Sequence, residues 1–377
     1  TGVQTCALPI LDGVFLSEER CFDVSAITVA ELLSSPDFLN CDIDIHFDGN
    51  LTENDINKIR RNVFNNDRIL NQLKSLGLNS NWDMLFIVFS IHLIDKAKQL
   101  KPSLRDQLLD ELLFTKETLK EIAKDLTDKT INYSLPYDVI ASFRNGKDAI
   151  YEDLEVYAKN QLELNNTSLF KLKSALWTLA KDIYQEWYLG KALFNQVEYK
   201  KDIQDFKKGF IYDEVILKPI EEIQLLLQNL IEAGYQIAIA TGRPRTETII
   251  PFQSLGLKSY FKDEHIVTAS EVLLAEKQFP QYQPLGKPNP FSYIATLNGN
   301  YNDQYERYAT KQEDIVNKDE VYIVGDSLAD LLSAKKIGAT FIGTLTGLKG
   351  KAAHSELVAN GADHVVEDIT KIRKILL

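Results

Sequence analysis

The sequence predicts an α/β fold, a doubly wound, Rossmann-like parallel sheet joined to a large all-helical domain. From about Tyr235 short apolar runs alternate with amphipathic stretches, the pattern of a β-α-β series. From about Ser17 to Gly209 the periodicity is helical with almost no strand signal. The 377 residues also exceed the usual size of one domain, so two are expected.

The expected strands are Gln236 to Ala240, His265 to Thr268, Val321 to Val324, Thr340 to Gly343 and His364 to Val366, with a sixth ahead of Asp12. Thr246 to Ser254 and Ala329 to Lys336 read as the helices between them. The polar run Asn298 to Asn317 is expected to be a surface insertion. In the helical block, Thr52-x-x-Asp55 ahead of Ile56, Ile59 and Val63 has the form of a capped helix start. Leu176, Leu179, Ala180, Ile183 and Trp187 share one helical face, which makes the aromatic stretch Trp177 to Tyr188 core packing before it is a substrate wall.

The composition, 45% hydrophobic and 25% charged, is that of a globular protein, and the net charge of −12 disfavours nucleic acid or an anionic membrane as partner. Three cysteines, Cys6, Cys21 and Cys41, make neither a disulfide framework nor a zinc site, so a reducing, cytoplasmic setting is expected. Met84 to Ile94 is too short to span a bilayer and reads as a buried helix. The first ten residues resemble translated sequencing-adapter sequence joined to a truncated gene. They are expected to be foreign, because Pro9 falls where a buried strand is called for and proline cannot donate to its ladder.

Four segments carry chemistry. Val321-Tyr-Ile-Val-Gly-Asp-Ser-Leu-Ala-Asp330 is an apolar strand running into Gly-Asp-x-x-x-Asp, which places Asp326 and Asp330 where ligands bind open α/β sheets. Asp326 capping the next helix is the plainer alternative. Ile237-Ala-Ile-Ala-Thr-Gly-Arg-Pro244 is a strand followed by a turn, where the Thr241 hydroxyl and the Gly242 amide would cradle a phosphate. Pro284-Leu-Gly-Lys-Pro-Asn-Pro290 is a stiffened loop presenting Lys287, a phosphate partner or a solvated surface lysine. Leu11-Asp-Gly-Val14 is by itself only a turn signal.

In their order, these segments resemble the four motifs of the haloacid dehalogenase superfamily, with the helical block as its cap inserted after the first strand. The whole length resembles bacterial phosphatase-like hydrolases of that superfamily with an unusually large cap. The division implied is a core of residues 1–17 and 210–377 and a cap of residues 18–209. The resemblance implies a Mg2+-dependent phosphomonoester hydrolase acting on a small phosphorylated metabolite through an aspartyl-phosphate. Asp12 matches the acid that protonates the leaving oxygen, and its backbone carbonyl would also bind the metal. Thr241 and Gly242 match the phosphate contacts, Lys287 the charge-stabilising lysine, and Asp326 with Asp330 the metal carboxylates.

The nucleophile belongs two residues before Asp12, where this sequence has Ile10, so the chain as written is expected to be inactive. A non-catalytic binding protein and a phosphomutase are the alternatives. The Gly-Asp-Ser-Leu run at Gly325 to Leu328 also spells an esterase signature with Ser327 as nucleophile, but at the wrong end of the chain. Glu18 and Arg20, near the expected hinge, and Arg243 and Arg245, beside the phosphate cradle, are candidate substrate contacts. At least one of the latter pair is expected to serve in surface pairing.

Overall fold

A computed structural model describes the chain except for residues 1–5, 10–11, 44, 46, 48–50, 79, 199–205, 208 and 312–319. It divides into two compact units, one made of Thr1–Glu18 and Ile211–Leu377, the other of Glu19–Phe210.

Among the described residues the first unit holds seven strands: β1 (Cys6–Pro9), β2 (Gln236–Ile237), β3 (Ile239–Ala240), β4 (Ile266–Val267), β5 (Val321–Gly325), β6 (Thr340–Thr344) and β7 (His364–Val366). Five form a sheet in the order β2-β1-β5-β6-β7, and β3 pairs with β4, every pairing parallel. Val321, Ile323, Val324, Phe341 and Ile342 are buried, as expected of strands covered on both faces. The helix Ile220–Glu232 buries Ile223, Leu226, Leu227 and Leu230, and the helix Leu328–Ile337 buries Leu331, Ala334 and Ile337.

One strand expectation is corrected. The single strand expected at Gln236 to Ala240 is split at Ala238: its first half ladders with β1 and its second with β4. Cys6–Pro9 is an inner strand between β2 and β5, the strand expected ahead of Asp12. Pro9 is its last residue, opposite Val324, where one missing N–H costs the ladder least.

The run expected as a surface insertion is also partly core. Tyr305, Tyr308 and Ala309 of the helix Tyr305–Thr310 are buried, and the Tyr305 ring meets Phe291 edge-on at 5.5 Å. Tyrosines three apart on a helix share a face, which gave this polar stretch an apolar side. Its residues 312–317 lie outside the described residues.

The helical unit, Glu19–Phe210, precedes β2 to β7 in the chain. The helix Glu53–Val63 opens with a capping box in which the Thr52 amide donates to Asp55 Oδ2 (2.9 Å) and the Asp55 amide donates to Thr52 Oγ1 (3.2 Å). Met84 to Ile94 are buried throughout within the helix Asn81–Ala97. In the helix Ala175–Glu198, kinked at Gly190, Leu176, Ala180, Ile183 and Trp187 are buried and Leu179 is half-buried. Among the described residues no helix is long and apolar enough to cross a membrane.

Candidate active site

Because the strands run parallel, their carboxyl ends share one edge, where ligands bind sheets of this kind. Thr241 follows β3, and Asp326 follows β5. Asp12 lies three residues beyond β1, in a turn in which the Gly13 amide donates to the Leu16 carbonyl (2.9 Å). That turn is laced to the returning chain: the Ser17 amide donates to Val215 and the Leu217 amide to Phe15.

Lys287 is not a solvated surface lysine. Its Nζ donates to the Ala240 carbonyl (3.1 Å) at the end of β3 and pairs with Asp330 Oδ1 (3.0 Å). Tyr293, fully buried, donates its hydroxyl to the same oxygen (3.0 Å), and Ser327 Oγ donates to Asp330 Oδ2 (2.5 Å). Burial, and then the Asp330 carboxylate, push the Tyr293 hydroxyl well above its usual titration range, so it stays a donor. Both Asp330 oxygens are therefore occupied by protein donors. Asp330 thus holds Lys287, next to the supporting metal role that the sequence suggests for it.

The helix after β5 is capped by Ser327, whose Oγ accepts from the Asp330 amide (3.4 Å), so Asp326 is not the cap. That duty also accounts for Ser327 without an esterase role, since its hydroxyl is engaged with Asp330. Asp326 sits in a glycine cradle. A Cβ added to Gly13 or to Gly347 would collide with its carboxylate, so only glycine at both positions lets the two loops close around it. The Gly13 backbone is also at φ +70°, and its carbonyl accepts from Thr344 Oγ1 (3.2 Å) and Thr346 Oγ1 (2.5 Å).

Magnesium prefers hard oxygen ligands. The Asp326 carboxylate, which both glycine loops approach, and the backbone carbonyl of Asp12 fit it in kind. Among the described residues no group of three His, Cys, Asp or Glu side chains gathers as a ready-made ligand set.

Thr241 is buried. Its hydroxyl accepts from the Arg243 amide (3.1 Å), which leaves its own proton to donate. Gly242 is exposed, with open space where a side chain would stand. Arg243 turns inward: Nε and Nη2 contact Asp12 Oδ1 at 2.7 and 2.6 Å, and Nη1 contacts Glu214 Oε1 at 2.5 Å. Arg245 pairs with Glu271 (3.2 Å) and Asp263 (3.6 Å). Arg20 is held inside the helical unit by Asp23 (3.3 Å) and Glu53 (2.9 Å). Glu18 is half-buried, and Ile10 lies outside the described residues. Sequence reasoning missed Glu214, Tyr293 and Gly347, and read Gly13 as a turn residue only. Only Tyr293 left a signal, as an aromatic six residues beyond Lys287.

A solved structure described as a Northeast Structural Genomics Consortium target is 54% identical to this chain, with a TM-score of 0.89 over 99% of this chain and 98% of its own. A hydrolase from Pseudomonas syringae is 14% identical over 99% and 98%, with a TM-score of 0.36. A HAD family hydrolase from Deinococcus radiodurans R1 is 13% identical over 100% and 96%, with a TM-score of 0.40. No curated protein matches. The family model for haloacid dehalogenase-like hydrolases matches residues 148–344, just over half of the chain, which takes in Thr241, Lys287, Asp326 and Asp330 and stops short of Asp12. The chain belongs to the haloacid dehalogenase-like hydrolase family.

Proposed function

We propose that this site is built to hydrolyse phosphomonoesters of small metabolites, and that Ile10 leaves the chain as written without its nucleophile. The observation that carries the reading is the position of Lys287. Its ammonium bridges Asp330 and the Ala240 carbonyl at the end of β3, one residue before Thr241. A fixed cation and a hydroxyl donor at one strand end suit a phosphate dianion.

Thr241 and Lys287 would hold the phosphoryl oxygens. Asp326 and the Asp12 backbone carbonyl would hold magnesium, which when bound offsets phosphoryl charge. With a carboxylate at position 10, that group attacks phosphorus while the ester P–O bond breaks and Asp12 protonates the departing alkoxide. Asp12, now ionised, then takes a proton from water, whose oxygen attacks phosphorus, frees inorganic phosphate and returns the carboxylate. Isoleucine has no lone pair to begin that sequence. This favours a second reading, a non-catalytic member of the family that binds phosphorylated ligands.

The test is Ile10→Asp assayed for magnesium-dependent phosphate release across small phosphomonoesters. Release by the variant and none by the chain as written supports the first reading. Phosphate-ester binding with no release by either favours the second.

A further inference from the structure

We infer that Arg243 and Glu214 form a positioning pair that fixes Asp12 for protonating the leaving group. The inference rests on the phosphomonoesterase reading above and deepens it.

Arg243 and Glu214 are nearly sealed from solvent, with side chains 6% and 2% exposed, while Asp12 keeps 27%. Both guanidinium contacts to Asp12 fall on one oxygen, Oδ1. Among the described residues Oδ2 meets no such donor. Two guanidinium N–H donors on one carboxylate oxygen disfavour a proton there and leave it to the other. Oδ2 is therefore the oxygen that carries the proton to the departing alkoxide.

The arginine is itself fixed. Its amide donates to Thr241 Oγ1 (3.1 Å), its carbonyl accepts from the Ala269 amide (2.9 Å), and Glu214 holds the far side of the guanidinium. Glu214 directly precedes the segment that ladders with Phe15 and Ser17, so it is tied to the turn that carries Asp12. With two carboxylates facing it, Arg243 has little positive charge left for a substrate anion. This argues for positioning over the substrate contact that the sequence suggested.

The experiment compares Arg243→Lys, Arg243→Gln and Glu214→Gln, each in the Ile10→Asp background, on two esters. 4-Nitrophenyl phosphate has a leaving group that needs little protonation, and glycerol phosphate has one that needs it. The expected result is a kcat loss of about 10- to 100-fold on glycerol phosphate, a fraction of the general-acid effect, with little loss on the nitrophenyl ester. KM should be unchanged, and Arg243→Lys should recover part of the loss. Glu214→Gln is nearly isosteric and carries the test if Arg243→Gln fails to fold. Equal losses on both esters, or none on either, overturn the inference and leave the phosphatase reading standing. No release from either ester by Ile10→Asp itself overturns that reading and the inference with it.

Discussion

Lys287 Nζ lies 3.0 Å from Asp330 Oδ1, so the loop lysine and the helix carboxylate that the sequence sets 43 positions apart act as one unit. Tyr293 and Ser327 complete the carboxylate's shell. The aspartate's part is to aim the lysine.

Lys287→Met should lower kcat of the Ile10→Asp chain about 10²- to 10³-fold, the usual loss of one charge-stabilising group. Its effect on stability should be about 1–3 kcal/mol, because Tyr293 and Ser327 still donate to Asp330. Steady-state kinetics and urea unfolding measure the two parts. Unchanged kcat would remove Lys287 from the site.

Gly347→Ala should drive a methyl group into the Asp326 carboxylate. The expected cost is about 1–3 kcal/mol of overpacking, together with loss of any magnesium-induced rise in the melting temperature. A variant that melts like its parent, with and without magnesium, contradicts the cradle.

Much of this was legible in the sequence for a simple reason. Parallel strands buried on both faces leave apolar runs, so β5, β6 and β7 fell within a residue of their expected bounds. Thr241 and Asp326 sit in short motifs at the ends of β3 and β5, and Lys287 in a short proline-rich motif. The break at Ala238 was invisible because a buried alanine reads the same whichever neighbour its strand pairs with. Gly347 and Glu214 were invisible because their importance lies in contacts with Asp326 and Arg243, which are distant in the chain. Pro9 fits an inner strand because the rule against proline there weakens at the strand's last residue.

His92 sets an acid limit on the helical unit. Burial, and then the positive Lys96, push its imidazole down to about 3 from 6.5. The unfolded chain therefore takes up a proton between those values that the folded chain refuses, and stability falls as pH falls through the window. His92→Leu should make the decline from pH 6.5 toward 3 shallower than in the parent, by at most about 1.4 kcal/mol per pH unit. Urea midpoints at pH 7 and 4.5 give the comparison, and parallel pH dependences contradict it.

Lys207 is 0% exposed and pairs with Glu31 (2.9 Å) and Glu186 (2.7 Å), with the Trp187 indole N–H also donating to Glu31 (2.5 Å). Removing the cation leaves a buried carboxylate pair behind. Lys207→Met should cost about 3–5 kcal/mol, and adding Glu31→Gln should recover part of that. Chemical unfolding of the single and double variants decides, and simple additivity would rule out the coupling.

The central claim is that position 10 is the missing part of an otherwise complete phosphomonoesterase site. Its most direct test measures inorganic phosphate released with magnesium by the chain as written, by Ile10→Asp and by Ile10→Asp with Asp12→Asn. The account predicts release by Ile10→Asp alone of the three on an alkyl phosphate. Release by the chain as written, or none by Ile10→Asp on any ester, contradicts it.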